Sequence, residues 1–570
     1  MERILKWIKL NIYKIDTFFI DKPVVSFFLV FSFFLISFLL IYMNLPILSS
    51  PDDHYFHFRF AQQLVQNGFF NSFRDFKTLA FTGIAHGEHF LYYNFLFYTV
   101  LIPFTFFTPL YLGIKLFAII SVSLIGAILY FFIKKINIKY PFLWTVGFFA
   151  IIGLSSFWRL FLSRPFVFSP MIIILLLLAV HKRKYFWIFF LSFIYLFWHT
   201  STFLIPLATV FVYFIAAALY NRKYEWKILF WATLGIVASI ITAFLINSGF
   251  FIDIRDNVIG VLYSTFDKKV VISEGGEVYP RNLFDLLNQN IFLIVMFLFS
   301  FVIYIFTYFS ERKYLSTFDS VLKNKRIMTL TLFLCSSIFF IAIPIISNRF
   351  SDFFLFFAWI FIVLVLSEVF YYLKFTKPIL KKFSQYALFV CLIYLFLNNA
   401  LQLNNMFASG GSRPETFSQV GNYLSKNLKK DDIVFNLNWG WFPQLYYYAP
   451  SQDYVIGLEP KLNYLYNPKL YWLWQNIGNG YVCETEKCSN QDALRNSSFR
   501  KNDSFKKWAK DEGDQIANVI TTDFMSHYIV SSKDYGYLNN VLNNNKHFQK
   551  VVDSNGQYFV YKILSIENEE

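Results

Sequence analysis

Pro23-Val24-Val25-Ser26-Phe27-Phe28-Leu29-Val30-Phe31-Ser32-Phe33-Phe34-Leu35-Ile36-Ser37-Phe38-Leu39-Leu40-Ile41-Tyr42-Met43-Asn44-Leu45 holds no Asp, Glu, Lys, Arg or His, and Ser50-Pro51-Asp52-Asp53-His54-Tyr55-Phe56-His57-Phe58-Arg59 follows closely. About 20 apolar residues at roughly 1.5 Å per residue match a hydrocarbon core about 30 Å thick. The run is too long for the apolar part of a signal peptide, and no small-residue cleavage site follows it. It therefore reads as an uncleaved membrane anchor. Two carboxylates and two imidazoles at the mouth of that span lose hydration and need partners, of which a divalent cation is one.

The 570 residues are 56% hydrophobic and only 15% charged, with a mean hydropathy of +0.46. That much apolar surface excludes an ordinary soluble fold and implies a polytopic α-helical membrane protein. The net charge of +15 does not indicate nucleic-acid binding. Lys and Arg gather instead in short loops between apolar runs, as expected of cytoplasmic loops.

Runs of spanning length lie at 24–47, 110–134, 141–157, 167–181, 184–199, 201–220, 227–249, 290–310, 327–346, 350–374 and 379–404, so about 11–13 spans are expected. Arg3 to Lys14, Lys134 to Lys139, His181 to Lys184, Arg222-Lys223, Arg312 to Arg326 and Lys374 to Lys382 then share one side, with the N-terminus in the cytoplasm. This parity requires the 92–108 run to dip into the outer interface without crossing. The cytoplasmic (inner) membrane is the expected location. Outside lie the loops 48–109, 158–166 and 250–289, the corner Ser347-Asn348-Arg349, and the chain beyond about 405.

The boundary divides a transmembrane domain, 1–404, from an exported α/β domain, 405–570. The second part is polar, with helical spacing over Glu415 to Leu428 and short apolar strands at Asp432 to Phe435 and Tyr558 to Tyr561. Cys335 and Cys391 fall in apolar spans and read as packing residues, whereas Cys483 and Cys488 could form a local disulfide if exported.

Phe56, Phe60, Leu64 and Val65 recur at helical spacing, which places Asp53 at the head of a helix running to about Asn67. A cap explains one carboxylate, but not Asp52, His54 and His57 as well. His86, Glu88 and His89 surround Gly87, whose freedom to bend lets them join Asp53 around Mg²⁺ or Mn²⁺. Glu274 lies beside a Gly pair in a long external loop, where it could close over a ligand. Arg349 at an outer span end could hold phosphate in its planar fork. Trp439-Gly440-Trp441-Phe442 could stack on sugar or simply form the core of the exported domain.

Asp53-His54-Tyr55-Phe56-His57-Phe58-Arg59, Ser163-Arg164, Val271-Ile272-Ser273-Glu274 and Arg349-Phe350 occur in the order found in the catalytic subunit of oligosaccharyltransferase, the PglB/AglB-like family. The chain resembles that family distantly along most of its length. Two departures are plain. No acidic pair follows Ser163-Arg164, and Asn436-Leu437-Asn438-Trp439-Gly440 stands where the family has Trp-Trp-Asp-Tyr-Gly.

The resemblance implies a GT-C-like fold and transfer of a sugar or glycan from a polyprenyl-phosphate or pyrophosphate donor to a protein, lipid or glycan acceptor on the outer face. It implies catalytic roles for Asp53 and Glu274. Arg349, Arg59, His57, Trp439 and Trp441 would bind substrate, and Asp53, His86, Glu88 and His89 would bind the metal. An acceptor that is a lipid or cell-wall glycan is the alternative within enzymes. A transporter or flippase, or an inactive scaffold, is the alternative outside them.

Overall fold

The computed structural model describes residues 22–45, 53–68, 78–82, 94–221, 224–246, 280–311, 320–372, 378–410, 413–458, 460–486 and 503–564. Among them, seven helices are long and apolar enough to cross a membrane: Pro23–Tyr42, Leu110–Lys135, Thr200–Tyr220, Trp226–Ile246, Ile291–Tyr308, Lys323–Ile345 and Phe350–Val369. Three further expected spans are the shorter apolar helices Pro141–Ile151, Pro165–His181 and Tyr185–Trp198. The last lies within the helix Pro378–Gly410, which continues past the expected end at 404. The 92–108 run forms a short helix, Phe95–Leu101, and a 3-10 turn, Ile102–Phe106. Its brevity fits a segment that dips without crossing.

Large apolar side chains such as Leu40, Phe292 and Phe306 remain exposed on the span surfaces. Water would penalise that surface, whereas lipid solvates it. The half-buried Asn399 side chain inside the bundle finds backbone partners. The Asn399 amide donates to the carbonyls of Ala150 (3.0 Å), Phe149 (3.3 Å) and Ile152 (3.4 Å), at the end of the short Pro141–Ile151 helix. Such carbonyls have no partner within their own helix and are costly in hydrocarbon. Gly153 lets the following turn approach closely: a Cβ there would meet the Gln289 carbonyl oxygen at 1.6 Å.

The two ends of the bundle carry different ion pairs. One end holds Arg183–Glu225 (2.6 Å) and Arg326–Glu368 (2.6 Å), from the basic loops expected in the cytoplasm. Loops assigned to the opposite side are joined by Arg164–Asp53 (2.7 Å) and Arg159–Asp352 (2.8 Å). The parity inferred from loop charge therefore groups loop ends that meet in space.

The C-terminal part forms a five-stranded sheet from β1 (Ile433–Asn436), β2 (Asp453–Tyr454), β3 (Ser526–Ser532), β4 (Phe548–Ser554) and β5 (Tyr558–Ile563), ordered β2-β1-β3-β5-β4. β1 pairs in parallel with β2 and β3, and β5 pairs antiparallel with β3 and β4. Phe435, Ile529 and Tyr561 of the sheet are buried with Ile516 and Ile520 of the helix Asp503–Thr522. Cys483 is disulfide-bonded, and Cys488 lies outside the described residues. Cys335 is buried as expected, but Cys391 is exposed on its helix.

The segment between the first two spans ties this domain to the bundle. Tyr454 N–H donates to the Thr78 carbonyl (2.8 Å) and Ala80 N–H to the Tyr454 carbonyl (3.1 Å), so Leu79 extends the sheet beyond β2. The helix Asp53–Asn67 buries Phe56 against Phe442 (5.6 Å between ring centres) and Tyr446 (5.3 Å). Phe56, Phe60 and Leu64 are buried as their spacing predicts, whereas Val65 is exposed.

Candidate functional site

Asp53 is the first residue of its helix, where the free N–H groups and the helix dipole favour a negative charge. Its carboxylate lies 2.7 Å from the Arg164 guanidinium. Arg164 precedes Pro165 and takes the extended backbone that a following proline imposes (φ −132°, ψ 152°). That corner turns the loop into the helix Pro165–His181 and aims the arginine at Asp53.

A second arginine on the same loop, Arg159, makes a two-pronged contact with Asp352: Nε to Oδ1 at 2.9 Å and Nη2 to Oδ2 at 2.8 Å, with both side chains nearly fully buried. The Phe166 ring lies 4.8 Å from the Arg159 guanidinium and 5.8 Å from that of Arg164. Such contact favours a desolvated cation. Asp352 is three residues beyond Arg349 and donates its N–H to the Arg349 carbonyl (3.4 Å). Arg349 is half-buried and makes no ion pair among the described residues.

His199 bridges the remaining gap. It sits between the helix Tyr185–Trp198 and the turn Thr200–Thr202. Its Nδ1 lies 2.8 Å from both the Ser169 and Thr202 hydroxyls, and its Nε2 lies 3.0 Å from the Ser201 hydroxyl. Trp198 Nε1 donates to the Pro165 carbonyl (2.8 Å), which holds this corner against the start of the Pro165–His181 helix. Burial first, and then the charge of Arg349, holds the His199 imidazole down at about 3. It is neutral at ordinary pH and can donate or accept a hydrogen bond.

The imidazoles beside Asp53 are neutral for related reasons. Burial, followed by the charges of Arg164 and His57, holds His54 well below its usual range. Burial and then Arg164 lower His57 to about 3, and its Nδ1 meets the Tyr98 hydroxyl at 3.0 Å. Positive charge at this end therefore rests on arginines, which stay protonated when partly buried. A carboxylate facing a guanidinium can accept a proton, and an arginine at the same end of the bundle can stabilise a phosphate oxygen.

The expected site residues separate into three groups. Asp53, His57 and Arg349 belong to this end of the bundle. Arg59, six residues along the Asp53 helix, points elsewhere: Nη1 donates to Gln62, and the guanidinium faces Tyr446 and Tyr447 of the C-terminal domain. Trp439 and Trp441 pack within that domain, Trp441 against Tyr558 (5.6 Å), Tyr535 (5.7 Å) and Phe417 (6.0 Å). His86, Glu88, His89 and Glu274 lie outside the described residues.

Among the described residues no cluster of three His, Cys, Asp or Glu could hold a metal ion. Asp53, the described member of the expected set, faces the Arg164 guanidinium, and the other three lie outside the described residues. Sequence reasoning passed over Arg159, Asp352 and the roles of Arg164 and His199. The available signal was charge in the otherwise apolar 158–166 loop, which is costly unless paired.

No family model matches the sequence, and no curated protein matches it. Among solved structures, the crystal structure of ArnT from Cupriavidus metallidurans bound to undecaprenyl phosphate is similar, with a TM-score of 0.51. The match covers 94% of this chain and 97% of that chain at 10% sequence identity. The likeness is one of fold, in keeping with the GT-C-like fold that the resemblance implied.

Proposed function

We propose that the chain is a membrane glycosyltransferase that takes a sugar or glycan from a polyprenyl-phosphate or pyrophosphate carrier and transfers it to an acceptor on the outer face. The observation that carries this reading is the Asp53–Arg164 ion pair at the head of the Asp53–Asn67 helix, within a GT-C architecture. A similar fold bound to undecaprenyl phosphate supports a lipid-linked donor.

Arg164 orients the Asp53 carboxylate. One carboxylate oxygen takes the proton of the acceptor hydroxyl as that oxygen bonds to the anomeric carbon. The bond from the anomeric carbon to the carrier phosphate breaks, and its electron pair passes to the phosphate oxygen. Arg349 stabilises the charge gathering there, and neutral His199 beside it offers a further hydrogen bond. Glu274, expected to act with Asp53, lies outside the described residues. No step is routed through a metal, and a cation held by Asp53, His86, Glu88 and His89 would compete with Arg164 for the same carboxylate.

One observation favours a lipid or glycan acceptor over a protein. Asn436-Leu437-Asn438-Trp439-Gly440 lacks the Asp and the leading Trp pair with which the oligosaccharyltransferase motif recognises its acceptor sequon. Membranes containing the protein, given a labelled polyprenyl-linked sugar, test both levels. Label in a lipid or glycan product supports this acceptor class, and label in protein restores the oligosaccharyltransferase reading. Absence of any transferred label, with the donor bound, removes the enzymatic proposal in favour of a scaffold.

A further inference from the structure

A cavity of about 290 Å³ opens where three segments meet: the end of the first span (Asn44, Leu45), the start of the second (Tyr111, Lys115) and the link into the exported domain (Arg413, Pro414, Glu415). The Lys115 ammonium lies 3.3 Å from the Met43 carbonyl and 5.7 Å from the centre of the Tyr111 ring, which turns it from the bundle toward this opening. Tyr448 of the exported domain donates its hydroxyl to the Pro414 carbonyl and pins the link in place. Neither Arg413 nor Glu415 forms an ion pair among the described residues.

We propose that this cavity binds the phosphate of a membrane-lipid headgroup. The lining carries two cations, Lys115 and Arg413, against one carboxylate, Glu415, whose charge already acts on Lys115, so one positive charge remains for an anion to pair. The position is right for a headgroup, since the cavity lies at the ends of two spans, at the level where hydrocarbon gives way to water. Lys115 reaches that level by extending its stem along the helix, as lysines near span ends do. Arg413 supplies the planar fork suited to phosphate. A phosphate seated there bridges the first two spans and the link, and so braces the exported domain above the site. Glu415, on the rim, weakens the hold on a purely anionic headgroup.

Native mass spectrometry of the full chain in detergent, titrated with phosphatidylglycerol, tests the proposal. The double variant Lys115→Gln, Arg413→Gln is expected to lose retained lipid by about fivefold for each cation removed. Glu415→Gln, at an exposed position that leaves the fold undisturbed, is expected to retain more lipid than the parent chain. Equal retention by the parent and both variants overturns the site. Inorganic phosphate in millimolar excess is expected to leave the lipid bound, because acyl chains contribute to its hold. Complete displacement by phosphate would assign the cavity to a free anion and overturn the lipid headgroup as its ligand.

Discussion

Asp53 and Arg164 lie 2.7 Å apart and join the head of the Asp53–Asn67 helix to the corner before Pro165. The carboxylate is thus anchored from outside its own helix. Asp53→Asn is expected to lower sugar transfer by about 10²–10⁴-fold, the range for loss of a positioned base, with membrane insertion unchanged. Arg164→Gln should follow in the same direction, and Arg164→Lys should recover part of the rate by restoring charge without the planar fork. Initial rates in a membrane assay with labelled donor check this, and full activity in Asp53→Asn would remove the base assignment.

Arg349 is expected to act on the departing phosphate. Arg349→Gln should reduce turnover by about 10²–10³-fold, as for loss of a donor aimed at developing charge. Donor binding should weaken less than turnover, because the charge is greatest in the transition state. Separate measurement of kcat and KM for the donor distinguishes this from a simple anchor, for which both would remain unchanged.

The Arg159–Asp352 pair is buried and two-pronged, so removal of one partner strands the other. Asp352→Ala is expected to destabilise the protein by about 3–5 kcal/mol. The double variant Arg159→Met, Asp352→Leu should recover most of that loss, since an apolar pair needs no counter-charge. Thermal unfolding in detergent, followed by intrinsic tryptophan fluorescence, measures both. An undiminished melting temperature in Asp352→Ala would show that the pair carries no stability.

The neutral imidazoles give a pH dependence of defined sign. His57 and His199 are held down at about 3, against an ordinary value of 6.5. The unfolded chain therefore binds protons that the folded chain refuses between pH 6.5 and about 3. Stability is full above pH 6.5 and falls as pH drops through that window, by about 1.4 kcal/mol per pH unit for each such histidine. Melting temperature should decline from pH 7.5 to pH 5, and decline less steeply in His199→Asn. A flat profile would show that these imidazoles are accessible to protons when folded.

The expected divalent cation has its own test. If Asp53, His86, Glu88 and His89 hold Mg²⁺ or Mn²⁺, EDTA abolishes transfer and either metal restores it. Unchanged transfer in EDTA leaves the counter-charge to Arg164 and Arg349.

Apolar runs and the spacing of Phe56, Phe60 and Leu64 determined the spans and the helix that begins at Asp53. These features are local: the transfer free energy of a twenty-residue window, or the 3.6-residue period of one helix, can be read without knowing any neighbour. Only the tertiary structure decided which arginine faces Asp53. Arg59 was the nearer in sequence, but six residues at about 100° each carry it around to another face of its own helix. Arg164 arrives from a distant loop because Pro165 sets its backbone and Phe166 packs beside it. The Arg159–Asp352 contact spans 193 residues of sequence. Such pairings follow from how separate helices pack, which no local pattern encodes.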